Sequence, residues 1–389
     1  MNLSWLPRIT AFVVVLSLYG CIHTAPFRNE SSDLTLPRTS TAEEIEPIGR
    51  SEYLTVDDAK LYLLTRGKDR HAPVLLWLHG GPGGAERPLF RYFNSELENH
   101  FVVAYWDQRG AGRSFDADAD PHQLTVSRHL ADLDAVVDHL RKVLRHDTIA
   151  LIGHSWGGML GLLYVQQHPE KVSAFVAVAP LIVPLRAQQA EYNFVSTEAR
   201  IRKEESVLTR LQGIGPPAYD THDRLLELED LADRYGMVWH RKPCKICVVL
   251  KGLVTGLVTP FELMSIHRGI HTSLDAMTPE LLGLDLARTV PCVDIPVWFF
   301  LGRHDRHVDS RIAANYFDSL HAPYTHLLWF EESAHNIPFE EPEKFNRVMI
   351  EEALPGATGS KSCAWRFYEL HPPGNRCLIE RLYIDCMAL

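Results

Sequence analysis

The segment Gly153-His154-Ser155-Trp156-Gly157-Gly158 constrains this chain most, because an apolar run, Thr148 to Ile152, leads into it and a helix-like stretch, Met159 to Gln167, follows. A serine held between a buried strand and a helix sits on a strained turn, where small neighbours prevent backbone clashes. Chance alone often produces a G-x-S-x-G spelling, but two further glycine-rich turns give this one a context. His79-Gly80-Gly81-Pro82-Gly83-Gly84 follows Val74 to Leu78, and Asp107-Gln108-Arg109-Gly110-Ala111-Gly112-Arg113-Ser114 follows Phe101 to Trp106. Each is a turn just past a short buried-strand pattern.

Apolar runs alternate with helical patterns in the order that a mainly parallel sheet requires. The strand candidates are Tyr53 to Val56, Leu61 to Thr65, Val74 to Leu78, Val102 to Trp106, Thr148 to Ile152, Ala174 to Ala179, Val297 to Leu301 and His326 to Phe330. Between them, Val126 to Leu144 places Leu130, Leu133, Val136, Val137, Leu140 and Leu144 on one helical stripe, which predicts an amphipathic helix under the sheet. The alternation stops after Pro180. It resumes near Pro296, and the residues between read as helices with breaks at Gly213 to Pro217 and around Pro243. The expected organisation is an eight-stranded α/β core in two parts, 48–180 and 291–354, with a helical lid, 181–290, inserted over the strand C-terminal ends, where open α/β sheets bind ligands.

In these motifs, HGGPGG, DQRGxGxS and GxSWGG in this order, the chain resembles the α/β-hydrolase superfamily and, within it, the proline iminopeptidase group of serine peptidases. The resemblance runs from about Tyr53 to Leu354. It implies an α/β-hydrolase sheet and a serine nucleophile, and says much less about the substrate.

A serine hydroxyl is a weak nucleophile until a base takes its proton, and a carboxylate must fix that base in the right tautomer. The order Ser, acid, His selects Ser155, then Asp305 in Gly302-Arg303-His304-Asp305, then His335 in Ser333-Ala334-His335. The last two follow late strands, on the same sheet edge as Ser155. Asp309 is the rival acid; Asp305 matches the family's GxxD position. His304 and His307 share the acid loop, and as bases they leave the Ser, acid, His order unfilled. His154 is expected to point away from the nucleophile and pack. Two N–H donors for an oxyanion are expected from Trp156 and from the HGGPGG turn, at Gly81. Asp107 with Arg109 or Arg113 is expected to form ion pairs that brace the loops.

Proline iminopeptidases remove an N-terminal residue and hold its ammonium with lid carboxylates. This chain departs from them there, because the family's W-x-x-W-E pattern is absent and Trp239 is the lid's single tryptophan. Glu191, Glu198, Glu204 and Glu205 are the lid candidates, although an acidic helix face is usually just solvated. An aminopeptidase acting on small peptides is the first expectation, and a carboxylesterase or amidase with the same triad the second. A non-catalytic binding lipoprotein is a third class, but its expected sign, a lost triad member, is missing. A triad with an oxyanion hole needs no metal and no organic cofactor.

At the N-terminus, one positive charge within Met1 to Arg8 and the apolar stretch Ile9 to Leu18 read as a signal peptide, too short for a bilayer-spanning helix of ~20 residues. Leu18-Tyr19-Gly20-Cys21 resembles the lipobox of bacterial lipoproteins, with Tyr19 where small residues are usual; the alternative is an ordinary signal peptide cut nearby. Ile22 resembles the outer-membrane sorting pattern. The resemblance implies export to the bacterial cell envelope with a membrane anchor through lipid on Cys21, and residues 22–47 are expected to form a flexible tether. Of the seven cysteines, the six besides Cys21 are an even number that an exported chain can pair. Cys244-Lys245-Ile246-Cys247 reads as a disulfide or buried thiols in preference to a redox pair or half a zinc site. The tail, 355–389, holds three cysteines and fits either a disulfide-closed appendage or an unstructured extension. With a net charge of −10 and no long basic run, the chain lacks the main electrostatic term for nucleic-acid binding.

Overall fold

The computed structural model describes residues 45–241 and 244–354. The signal peptide with Cys21, most of the tether, Pro243 and the cysteine-bearing tail lie outside the described residues.

Eight strands form one sheet: β1 (Ile48–Val56), β2 (Ala59–Gly67), β3 (Val74–Leu78), β4 (Val102–Trp106), β5 (Ile149–His154), β6 (Val172–Val178), β7 (Val297–Gly302) and β8 (Thr325–Phe330). Their order is β1-β2-β4-β3-β5-β6-β7-β8. β2 runs antiparallel to β1 and β4, whereas β3 to β8 pair in parallel. β1 begins at Ile48, five residues ahead of the apolar segment that marks it, and pairs with β2 along its whole length. It is an edge strand with a largely solvated face, so Arg50, Ser51 and Glu52 are accommodated without apolar periodicity.

The central strands read as unbroken apolar runs because both faces are covered. On β3, Val74, Leu76 and Leu78 join one buried cluster while Leu75 and Trp77 join the other. The chain reaches β4 on one side of β3 and then crosses to β5 on the other. The turns after β3 and β5 therefore open side by side at a switch in strand order, the place where open parallel sheets form a crevice.

Helix α1 (Arg87–Asn94) follows β3, and α2 (Val126–Leu144) follows β4 with the bounds that the apolar stripe predicts. Thr125 caps α2 by accepting from the Arg128 N–H. Between β6 and β7 lie α4 (Pro184–Arg202), α5 (Glu205–Ile214), α6 (His222–Asp233), α7 (Lys245–Val254), α8 (Pro260–Leu281) and α9 (Leu286–Thr289), after α3 (Trp156–Gln167) and β6. The stem of this insertion is closed by the Leu286 N–H, which donates to the Ile182 carbonyl at 3.1 Å. A disulfide joins Cys244 to Cys247 at the start of α7, and Cys292 is also disulfide-bonded.

The ions of the Asp107 motif brace loops, but their ion-pair partners lie outside the motif; within it, the Arg113 backbone N–H donates to Asp107 at 3.0 Å. Arg87 donates to Asp107 and pairs with Glu262 of α8, and Arg113 reaches the same Glu262. Arg109 grips Asp132 with two nitrogens, at 2.7 and 2.8 Å, and Asp58 with a third. Arg87, Asp107 and Glu262 are all buried, so this cluster clamps the insertion to the core where water cannot substitute. Removing one partner of a buried pair leaves an uncompensated charge, at a cost of about 3–5 kcal/mol. Glu262→Ala is expected to lower the unfolding free energy by about that amount in urea titration. Glu198→Ala, which removes a half-exposed helix pair with Arg202, should change it by less than about 0.5 kcal/mol.

Candidate active site

Ser155 stands between β5 and α3 with φ 55° and ψ −116°. A positive φ is costly for a residue with a β-carbon, and the backbone around it is fully engaged. Its N–H donates to Val178, and its carbonyl accepts from Gly158, Met159 and Leu181. Helix α3 begins directly after the serine, earlier than the apolar pattern suggests, because Gly157 occupies a helical position for steric reasons. A β-carbon on Gly157 would come within 2.1 Å of the Leu78 carbonyl oxygen, so only glycine lets the helix approach β3.

Asp305 and His335 come together as their positions after β7 and β8 predict. His335 Nδ1 lies 2.9 Å from Asp305 Oδ2, and both residues are buried. Asp305 Oδ1 accepts from the His307 and Val308 N–H groups. Burial works against the charged carboxylate, but His335, His307 and the Val308 amide hold Asp305 below the ordinary carboxyl range. An ionised Asp305 only accepts, so His335 Nδ1 carries the proton and Nε2 is its basic nitrogen. Asp309 is engaged elsewhere, capping α10 (Ser310–Ser319) and paired with Arg306 and Arg311. His304 stacks on His240 with ring centroids 3.7 Å apart.

Ser155 and His335 line one cavity of about 310 Å³, between the sheet edge and the helical insertion. That volume suits a small ligand. Gly81 lines it, with φ 117°, and a β-carbon there would meet the Gly84 and Gly83 nitrogens at 2.6 and 2.7 Å. The neighbouring Gly80 N–H is already taken by Glu86 at 3.0 Å. Trp156 is the first residue of α3, so its N–H has no intrahelical acceptor and lies at the positive end of the helix. Gln108 ties the two turns together, donating to the His79 carbonyl and accepting from the Trp156 indole, both at 2.9 Å.

His154 does more than pack. Nδ1 meets Glu86 at 2.8 Å and Nε2 meets the His335 carbonyl at 3.0 Å. Both partners only accept, so both ring nitrogens carry protons. Burial opposes that charge, and the Glu86 carboxylate overrides it, holding the His154 pKa above its ordinary value. The ring centroids of His154 and His335 are 4.7 Å apart. Burial, with His154 and His307 nearby, brings the His335 pKa down to about 4 against the pull of Asp305. His335 is thus a neutral base at neutral pH, and His154 an imidazolium unable to accept a proton. His79 is a third case: it donates to the Gly80 carbonyl and accepts from Gln108, and burial keeps it neutral.

The four lid glutamates separate. Glu191 is buried, lines the cavity and lies 3.0 Å from His307. Glu198 pairs with Arg202, Glu204 accepts from Tyr235, and Glu205 is exposed in the first turn of α5, all outside the cavity lining. Glu229 of α6 and Glu86 line the cavity instead. Burial would lower the His307 pKa, yet Glu191 and then Glu229 raise it to about 10. Burial pushes Glu191 itself up, with His307 opposing and Glu229 reinforcing. Glu191 and Glu229 thus line the cavity together with a single cationic partner for Glu191, His307. Glu86 and Glu229 carry no motif in the sequence. Glu229 sits in the acidic helix Leu225-Leu226-Glu227-Leu228-Glu229-Asp230, where facing the cavity depends on how α6 docks.

The insertion also holds the histidine loop directly. The Val238 carbonyl accepts from the His335 N–H at 3.2 Å and from the Asn336 side chain at 2.9 Å.

A sequence model of the alpha/beta hydrolase fold family matches residues 73–342. The chain is 29% identical over 312 residues to a protein named probable aminopeptidase YbaC from Bacillus subtilis (strain 168), covering 80% of this chain and 98% of that one. It is 31% identical over 196 residues to a proline iminopeptidase of Arabidopsis thaliana, covering 49% of each. Among solved structures, the proline iminopeptidase of Mycobacterium smegmatis superposes with a TM-score of 0.58 at 20% identity, covering 80% of this chain and 100% of that one. A proline iminopeptidase-related protein of Thermus thermophilus gives 0.56 at 19%, covering 80% and 99%. With a family match that spans most of the sheet and all of the insertion, the chain belongs to the α/β-hydrolase fold family, as a proline iminopeptidase-like hydrolase.

Proposed function

We propose that the protein is a serine aminopeptidase that releases N-terminal residues from small peptides, with Ser155 as nucleophile, His335 as general base and Asp305 as its orienting carboxylate. The observation that carries this reading is the shared cavity: a serine on a strained elbow, a neutral buried imidazole oriented by an ionised carboxylate, and a wall that carries the two carboxyl groups of Glu191 and Glu229. The relative named probable aminopeptidase supports the same reading.

Ser155 Oγ attacks the scissile carbonyl as His335 Nε2 takes its proton. The developing oxyanion is met by the Trp156 and Gly81 N–H groups. His335 then returns the proton to the leaving amine, and water hydrolyses the acyl-enzyme by the same path in reverse. Because the three residues act as one unit, Ser155→Ala and His335→Ala are each expected to lower kcat by orders of magnitude, and the double variant to lose little more. Additive losses, or an active Ser155→Ala enzyme, would overturn the assignment. A His335 pKa of about 4 puts the acid limb of kcat/KM near pH 4, since only the unprotonated imidazole works as base. A limb at the ordinary histidine value of ~6.5 would mean that His335 is more exposed to solvent than its burial requires.

Glu191 and Glu229 are the groups proposed to receive the substrate α-ammonium, in place of Glu198, Glu204 and Glu205. A buried ammonium without a carboxylate partner costs several kcal/mol. N-acetylation of an alanyl- or prolyl-arylamide should therefore abolish turnover, and Glu191→Gln should reduce kcat/KM for the free amine by roughly 30-fold or more. With amine substrates kcat/KM should also fall as the α-amino group deprotonates near its usual ~8, a limb that a p-nitrophenyl ester without an amine lacks. Equal kcat/KM for free and acetylated substrates would favour the esterase or amidase reading.

The accompanying proposal for the N-terminus is export to the bacterial envelope with lipid on Cys21, supported by the apolar run that ends in Leu18-Tyr19-Gly20-Cys21. Cys21→Ser is expected to move the protein out of the membrane fraction. Mature wild-type protein that is soluble, with an unmodified Cys21, would rule the anchor out.

A further inference from the structure

Large exposed apolar side chains of the described residues are concentrated on two helices of the insertion. Among the described residues, five of the eight belong to one short stretch: Ile246, Leu250 and Val254 on α7, and Phe261 and Met264 on α8, at 47% to 86% exposure. The three on α7 are spaced four apart and so form one stripe, and the two on α8 share a face of its first turns. Both helices flank a groove of about 140 Å³ lined by apolar residues such as Leu89, Val249 and Leu263.

Charge on this stretch runs against the rest of the chain. From Arg234 to Leu274 the sequence holds Arg234, Arg241, Lys242, Lys245, Lys251 and Arg268 but a single carboxylate, Glu262, in a chain of net charge −10. Arg241 is paired with Glu332, so among the described side chains the cations presented by the two helices are Lys251 and Arg268. Glu262 is buried and paired with Arg87 and Arg113, so it offers no negative charge to the surface. Lys251 and Arg268 are exposed. An exposed apolar stripe with a cationic surround suits an anionic lipid surface, where apolar side chains reach the acyl boundary while lysine and arginine stay among the headgroups. A second copy of the chain would bring this positive surround against itself, and like charges in contact disfavour pairing. No helix among the described residues is long and apolar enough to cross a membrane, so such contact is peripheral.

We infer that α7 and the first turns of α8 form a docking face for an anionic lipid bilayer. This face is separate from the residues assigned to chemistry, and the inference stands whether or not the protein is an aminopeptidase. The test uses the full-length Cys21→Ser chain, to exclude N-terminal lipid, with vesicles of phosphatidylcholine alone or mixed with equal phosphatidylglycerol. Binding should favour the anionic vesicles and weaken with salt. Hydrogen exchange should slow in residues 246–264 on those vesicles. The double variant Val254→Glu/Phe261→Glu should partition at least tenfold less, with its thermal unfolding unchanged, and Lys251→Gln about fivefold less. Vesicle binding without protection of residues 246–264, as the N-terminal apolar stretch alone would give, overturns the inference. So does wild-type partitioning by the double variant. A concentration-dependent dimer in ultracentrifugation that the double variant abolishes, without vesicle-induced protection, would assign the face to self-association instead.

Discussion

The approach of helix α3 to strand β3 underlies the rest of the site. With no side chain at Gly157, the helix closes on the Leu78 carbonyl, and the turn before it becomes so short that Ser155 must take a positive φ. Such a conformation costs about 1–3 kcal/mol and persists only where the surroundings over-determine it. Here they do: strands on both sides are buried, and each backbone polar group of Ser155 is hydrogen-bonded. The strain sets the serine at the crevice made by the β4-β3-β5 crossing, next to the turn that carries Gly81.

Several histidines crowd this small volume, and partner chemistry assigns each a state. A ring between two acceptors, as in His154, must be charged. A ring between a donor and an acceptor, as in His79, must be neutral. His335 has its Nδ1 committed to a carboxylate, and among the described residues no hydrogen bond occupies its Nε2, so of these three rings it combines neutrality with an available basic nitrogen. The charge on His154 contributes to this, because a neighbouring imidazolium disfavours a second one.

The sheet was legible from sequence because β3 to β7 are covered on both faces and leave runs of apolar residues; Ser155 and Asp305 were legible because they follow such runs, and His335 because the half-buried edge strand β8 still ends in apolar residues, Leu327 to Phe330. The start of β1 was not, since an edge strand imposes no hydrophobic period on Arg50 to Glu52. Nor were the partners of buried charges. Arg87 meets Glu262 across the interface between core and insertion, and nothing local in either segment marks the pairing. The same holds for the acidic wall, where four glutamates were equivalent by composition. Helix docking alone separates Glu191 from Glu198, Glu204 and Glu205, and brings in Glu229 from another helix.

The Val238 carbonyl, which bonds the backbone of His335 and the side chain of Asn336, bears on how this architecture can diversify. An insertion that merely covered the crevice would be exchangeable, and new substrate preferences could be grafted by replacing it whole. Here one peptide group of the cover forms part of the scaffold beneath it. A chimera that discards the segment around Val238 and Trp239 would alter the setting of the base along with the shape of the cavity. On the function proposed above, the shape of the cavity and the setting of His335 are thus inherited together at this position.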